Sequence, residues 1–409
     1  MTKISSIEGI RENFPALEQS VNGRPLIYLD NGATAQKPKS VIDIVNTMNS
    51  AINGNVHRAV HELSTRSTHL YEAAREEIRQ FLNAKHAEEI IFTSGTTAGI
   101  NLIANSFASE YIEKGDAILI TESEHHSNIV PWQMVCEKYG ATLIALSVDD
   151  FGCWEIDKVD EILKKNKVKI VSASHISNVL GLVNPIEELV SMAHNYGIPV
   201  VIDGAQGVVH AEVDVQALDC DFYLFSGHKL YGPTGIGVLY GKKRWLEEMP
   251  PWMGGGDMIG SVSLKGFTCA ELPLKFEAGT PNYIGAAGLG EAIRFINSID
   301  KSIIFENEIS IASYLNKELS KIEGVKVYGE SERKTALFSI NCKGVHPTDI
   351  ASILDKMGIA VRSGQLCAEP LMERFGATSM LRASFGMYNT MEEATLFIEG
   401  LKRAIKMLI

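Results

Sequence analysis

An amine, a carboxylate, imidazole rings and clustered hydroxyls recur along this chain, each group standing directly after a short apolar run. SGTTAGINLIANSF follows Ile90–Phe92; its small residues, Thr97 among them, open a helix whose free N–H groups and dipole suit a phosphate. ESEHHSN, with His125 and His126, follows Ala117–Ile120, and SHISN, with His175 and Asn178, follows Lys169–Ala173. Asp203 and Gln206 come after Pro199–Ile202; Ser226, His228 and Lys229 come after Phe222–Phe225. The chemistry on offer is anion binding, stacking, proton holding and attack by an amine. Taken singly, each group has an ordinary structural reading: a Gly-Thr-Thr turn caps a helix, Asp203 is an N-cap, a lysine is a solvated charge. His57 and His61 of HRAVH read as one helix face rather than a metal site. Recurrence at the same place after successive runs is what joins them.

The runs are rich in Ile and Val and alternate with helical segments from about residue 25 to 245, so they read as strands of βαβ units on a parallel sheet. Thr142–Leu146 and Gly237–Tyr240 complete the set. Several are too uniformly apolar to have a wet face, as in sheets covered by helices on both sides. In THLYEAAREEIRQFLN the positions Leu70, Tyr71, Ala74, Ile78, Phe81 and Leu82 form one apolar stripe of helical spacing. The carboxyl ends of such strands line the ligand crevice, which brings the polar groups to one edge. After residue 245 a stretch rich in Gly, Pro and Met reads as irregular loop before the helix GLGEAIRFINSI. Beyond about 301 the pattern predicts helices over Ile303–Ile322, Thr348–Met357 and from Met391, with strands over Val325–Tyr328, Ala336–Ile340 and Ile359–Arg362. These make a second, smaller α+β domain.

Composition narrows the chemistry. The 409 residues carry 38 basic and 50 acidic side chains, a net charge of −12, which disfavours nucleic-acid and anionic-lipid binding. No run approaches the ~20 apolar residues of a spanning helix, no secretion signal is visible, and six unpaired-looking cysteines fit a reducing cytoplasm. YGPTGIGVLYG lacks a GxGxxG between strand and helix, and Gly241-Lys242 lacks the glycine and hydroxyl of a P-loop, so nicotinamide and phosphoryl chemistry recede. One cofactor uses a phosphate cradle, a flat His, a carboxylate and a lysine together. Pyridoxal 5'-phosphate offers a phosphate, an aromatic ring, a basic ring nitrogen and an aldehyde that condenses with an amine.

VIDGAQGVVH, DCDFYLFSGHKLYGPTGIGVLYG and VRSGQLCAEPLM together resemble the Suf-type, group II cysteine desulfurases of the class V aminotransferase fold family, a group that adjoins selenocysteine lyases. FTSGTTAGINLIANS, ESEHHSNIVPWQM, SHISNVLGLVNP, FEAGTPN and LRASFGMYNT stand in family order, so the resemblance spans nearly the whole chain. It implies an α/β architecture of the fold type I, pyridoxal-phosphate transferase-like kind. A large domain with a mostly parallel sheet would cover residues 22–291; residues 1–21 with 292–409 would form a smaller α+β domain carrying the catalytic cysteine loop.

By position, the resemblance makes Lys229 the lysine joined to the cofactor aldehyde, Asp203 the partner of the ring nitrogen, His126 the stacking ring and Gln206 a contact of the ring hydroxyl. Thr97, Ser226 and His228 would hold the phosphate with Thr280 of a second subunit, which implies a homodimer. Asn178, Arg362 and Arg382 match substrate-binding positions, and no metal is implied. Cys367, between Gly364 and Pro370, matches the nucleophile that would take sulfur from L-cysteine, leaving a persulfide and L-alanine. The partner implied is a small sulfur-acceptor protein of the Suf type serving iron–sulfur cluster assembly in the cytoplasm. Many family members carry two His before this cysteine; here Gln365 and Leu366 stand there. The competing readings are a selenocysteine lyase and another class V enzyme, an aminotransferase, epimerase or lyase.

Overall fold

Seven strands form the central sheet of the computed structural model, which describes residues 3–57 and 59–409. In chain order they are β1 (Ile90–Thr93), β2 (Ala117–Thr121), β3 (Thr142–Leu146), β4 (Val168–Ser174), β5 (Val200–Asp203), β6 (Phe222–Ser226) and β7 (Gly237–Gly241). Their spatial order is β1-β7-β6-β5-β4-β2-β3. All seven coincide with the apolar runs of the sequence.

Period-two alternation along these strands feeds two separate cores. Val200, Ile202, Tyr223, Phe225, Val238 and Tyr240 bury on one side, Val201, Phe222, Leu224 and Leu239 on the other. With both faces covered there is no polar side to the pattern, which is why the runs are uniformly apolar. β2 through β6 pair in parallel, whereas β7 runs antiparallel to both β6 and β1. The expectation of βαβ units throughout is corrected at that strand. β7 returns from β6 through the short 227–236 connection, in which Gly227 N–H donates to Ile236 O at 2.9 Å, so Lys229 lies immediately at the sheet edge. Because β7 is reversed twice over, β1, β2, β4, β5 and β6 all end at the same edge.

The smaller unit is a four-stranded antiparallel sheet in the order Val325–Tyr328, Leu337–Cys342, Met380–Ser384, Arg362–Gly364, backed by the helices Lys301–Leu319, Pro347–Lys356 and Met391–Leu408. The predicted strand over 359–362 divides. Ile359–Ala360 pairs in parallel with Ile27–Tyr28, while Arg362–Gly364 joins the small sheet. Ile27 and Leu29 bury in the small unit's core, whereas Ile10, Phe14 and Leu17 bury in the same core as the large sheet. Met380–Ser384 was not legible as a strand from its pattern, since all five of its residues are buried but Arg382 and Ser384 break the apolar run that would mark it.

Two further expectations are corrected. The stretch read as irregular loop contains a two-stranded hairpin, Ile259–Ser263 with Gly266–Cys269. It stands off the body with Val262, Leu264 and Phe267 exposed, and without a core beneath it no burial period marks its strands. His57 and His61 do not share a helix face: His57 sits in the preceding loop at φ 68° with Nε2 2.9 Å from Glu72 Oε1, and His61 is the N-cap of the helix Glu62–Phe81. Among the described residues no helix is long and apolar enough to cross a membrane.

That long helix is tied to the sheet by charge. Arg75 grips Glu277 through two nitrogens at 2.8 and 3.0 Å and donates to Ile90 O at 2.7 Å. Glu277 also accepts from Tyr71 Oη and from Phe92 N–H, both at 2.7 Å, and both charged side chains are almost wholly buried. Removing one partner leaves the other charge buried and unpaired, at a cost of about 3–5 kcal/mol. Glu277→Ala is therefore expected to lower the urea midpoint by an amount equivalent to that loss; an unchanged midpoint would show that Arg75 finds water or another partner.

Candidate active site

At the shared strand edge lies a cavity of about 370 Å³, closed from the other side by Arg362, Ser363, Leu366, Cys367 and Arg382 of the small unit. Thr97, Asn178, Asp203, Gln206, Ser226, His228 and Lys229 line it from the large sheet. Of the residues to which the resemblance gives a role, the cavity lining lacks His126 and Thr280; His175, singled out after the Lys169–Ala173 run, is also outside it, with Nδ1 2.8 Å from Tyr223 Oη.

The anion end is built by the helix Thr96–Tyr111. Its N-cap, Gly95, has φ +150°, a conformation open to glycine, and a Cβ on Gly237 of β7 would come within 2.5 Å of Gly95 Cα. The missing side chains let the strand and the loop close up, presenting the first helical N–H groups at the cavity. Thr96 N–H donates to Ser226 Oγ at 2.9 Å, and the two hydroxyls lie 2.8 Å apart. Thr96 thus lines the cavity beside Thr97.

The centre holds opposite charges. Asp203 is buried at the end of β5; burial raises its pKa, and the Lys229 charge and the Ala205 N–H, which donates to Oδ1 at 2.9 Å, pull it back. Burial lowers the Lys229 pKa, with Asp203 the main opposing influence. Behind them Glu124 accepts from Asn128 Nδ2 at 2.7 Å and Ser174 N–H at 3.1 Å, and burial pushes its pKa up to about 7. Gln206 Nε2 donates to Gly32 O at 2.8 Å.

His126, from which a stacking ring is expected, does not line the cavity, whereas His125 does. His125 is extended (φ −68°, ψ 149°) and a 3₁₀ turn begins at His126, so consecutive side chains diverge. His125 lines the cavity; its Nδ1 accepts from Ser127 N–H at 3.1 Å, and burial brings its pKa down to about 3, leaving a neutral ring. Nothing in the dipeptide separates the two histidines; the turn does.

His126 faces the loop of Cys367. Its N–H donates to Cys367 O at 2.8 Å, and its Nε2 accepts from Glu369 N–H at 3.2 Å. Asn178 Nδ2 donates to Leu366 O at 2.8 Å. Leu366 and Cys367 stand at φ +54° and +56°, a left-handed pair of non-glycine residues that persists because both carbonyls are clasped by the large unit. Cys367 is exposed, whereas burial raises the thiol pKa of Cys220 and of Cys342.

At the mouth, Arg382 Nη1 donates to Asn178 O at 2.8 Å, and its buried Nε has no hydrogen-bond partner among the described residues. Asp30 meets both arginines, a residue the sequence reading passed over although it stands just after the apolar Leu26–Leu29 run. The same rule that found Asp203 would have found it.

The class-V aminotransferase family model matches residues 27–397, and the chain belongs to that family. It is 49% identical over 394 residues to a probable cysteine desulfurase of Halalkalibacterium halodurans, covering 96% of this chain and 97% of that one. Among solved structures it is similar to a cysteine desulfurase of Escherichia coli, with 40% identity, 99% coverage of each chain and a TM-score of 0.92. An apo cysteine desulfurase of Thermococcus onnurineus superposes with a TM-score of 0.94 at 37% identity, covering 100% of both chains. The family uses pyridoxal phosphate, and the cavity fits it. Among the described residues Asp203 has one oxygen bonded to protein and the other free for a cationic ring nitrogen, while the glycine-paved helix end has donors to spare for a phosphate.

The clasp on the Cys367 loop is testable through thiol access. His126→Ala is expected to speed alkylation of Cys367 severalfold, followed peptide by peptide by mass spectrometry, and His126→Gln, whose amide oxygen can accept from Glu369 N–H, to restore the slow rate. Equal rates in all three proteins would exclude the side chain from the clasp.

Proposed function

We propose that the chain is a cysteine desulfurase that takes L-cysteine, moves its sulfur to Cys367 as a persulfide and releases L-alanine. The observation that carries this reading is the exposed Cys367 on a clasped loop facing the same cavity as Lys229 and Asp203. An aminotransferase or epimerase has no use for a thiol held there.

Bound pyridoxal phosphate would supply an electron sink for the pair left when the substrate Cα loses its proton. Lys229 would hold the cofactor covalently and, once displaced by substrate, take up that proton; burial lowers its pKa, which favours the uncharged amine that a base must be. Asp203 would keep a proton on the ring nitrogen, because a buried carboxylate gains most from a cationic partner. His125 offers a neutral face for stacking. Thr96, Thr97, Ser226 and His228 would grip the phosphate, and Gln206 the ring hydroxyl. Arg382, with Asn178 and Arg362 beside it, would receive the substrate carboxylate. Cys367, its thiol proton given up, would then bond to the substrate sulfur as the bond from that sulfur to Cβ breaks; the electron pair goes to Cβ, which gains a proton, and Cα recovers the proton it lost, leaving a persulfide and L-alanine.

Thr280 is exposed and away from its own chain's cavity, which suits a contribution to a second copy's phosphate site and hence a homodimer. The persulfide acceptor is proposed to be a small sulfur-carrying protein of the kind that feeds iron–sulfur cluster assembly.

After incubation with L-cysteine, the peptide containing Cys367 is expected to gain one sulfur atom by mass spectrometry. Cys367→Ser should keep the visible colour of the bound cofactor and lose alanine production; normal turnover in that variant would sink the nucleophile assignment. Thr280→Ala is expected to weaken cofactor retention severalfold while sedimentation still reports two chains per particle. A monomer in the unmodified protein would remove the shared site.

A further inference from the structure

We infer that Asp30 determines which amino-acid side chains the cavity admits, by holding its arginine pair together and leaving that pair one uncompensated positive charge. The inference rests on the reading above that Arg362 and Arg382 meet the substrate carboxylate.

The small sheet creates the problem that Asp30 solves. Its register sets Arg362 directly opposite Arg382 on neighbouring strands. Like charges in that position repel. Arg382 is the more constrained, with a side chain 3% exposed against 47% for Arg362, and burial brings its pKa down to about 10. Asp30 is the largest influence opposing that fall. Arg362 forks onto Asp30 with Nε at 3.0 and 3.2 Å from the two oxygens and Nη2 at 2.8 Å from Oδ2. Arg382 Nη2 reaches Oδ1 only at 3.4 Å. Asp30 therefore spends itself on the outer arginine and leaves the buried one short of a carboxylate.

The charges around the cavity can be summed by groups. In the loaded protein Lys229 would be joined to the cofactor, Asp203 would face its ring nitrogen and its phosphate would be held at the helix end, so none of these is left to meet a carboxylate at the mouth. His125 and His228 are neutral near pH 7, because burial brings their pKa values down to about 3 and about 4. Two guanidiniums against the single Asp30 carboxylate remain, a surplus of one. That surplus matches an amino acid with one carboxylate. A ligand with two would leave its second negative charge facing Asp30 without a partner, and repulsion at such distances is worth about tenfold in affinity. Asp30 touches no substrate in this scheme; it is a positioning and specificity residue.

The test uses the cofactor-loaded protein and two unreactive probes, propionate and succinate, with affinities read from ligand-induced shifts in melting temperature. Asp30→Asn should raise the affinity for succinate relative to propionate about tenfold over the parent. Asp30→Glu, which keeps the charge, should stay near the parental ratio. The double variant Asp30→Asn/Arg362→Gln restores a surplus of one and should restore that ratio, and it does so without two unneutralised arginines side by side. A ratio unmoved in Asp30→Asn, or moved equally in Asp30→Glu, overturns the inference; if Asp30→Asn does not fold, a double variant that fails to match the parental ratio does the same. Neither probe depends on turnover. A parent that binds propionate selectively but makes no alanine from L-cysteine would refute the proposed function alone, and a parent stabilised by neither probe would refute the arginine site itself.

Discussion

The carboxylate of Asp203 and the amine of Lys229 are opposite charges withheld from bulk water at one edge of one sheet, and most of the architecture serves that juxtaposition. Each is shifted toward neutrality by burial and is restrained chiefly by the other. Such a pair is stable only if the elements carrying it cannot move apart. Asp203 ends β5 and Lys229 lies just beyond β6, two strands paired in parallel register, and β7 folds straight back to lock the lysine's turn. Apolar cores on the two faces of these strands keep water from between the charges.

A second constraint comes from the join between the two units. The large sheet supplies the anion end, the charges and the neutral ring of His125; the small sheet supplies both arginines and the thiol. Neither half is a site alone. The join is made on backbone carbonyls: His126 N–H and Asn178 Nδ2 donate to the carbonyls of Cys367 and Leu366, and Arg382 Nη1 donates to Asn178 O. Asn178 therefore links the thiol loop and the buried arginine, so a shift of one is felt by the other. The left-handed backbone at Leu366 and Cys367 is the local cost of standing the thiol out toward the cavity.

Which parts were readable in advance follows from range. The inner strands were legible because burial on both faces writes an almost unbroken apolar run into the sequence, and the rule that polar residues after such runs meet at one edge picked out Asn178, Asp203, Ser226, His228 and Lys229 together. Met380–Ser384, the strand of Arg382, left no pattern of its own, and the outlying hairpin at 259–269 had no core to impose one. The choice between His125 and His126 lay below any periodicity. It depends on a single turn, whose geometry sends one ring into the cavity and the other to a loop more than two hundred residues away in the sequence.

The amino-acid sequence by itself determined the kinds of groups available, their position after each run, and the family to which the chain belongs, since propensity and burial pattern are local and motif order survives without coordinates. Only the tertiary structure decided that β7 runs backward, that Arg362 lies across from Arg382, and that Asp30 stands against both. Those facts are pairings between segments far apart along the chain. They are settled by which packing satisfies every buried charge and backbone group at once, and no window of sequence contains that sum.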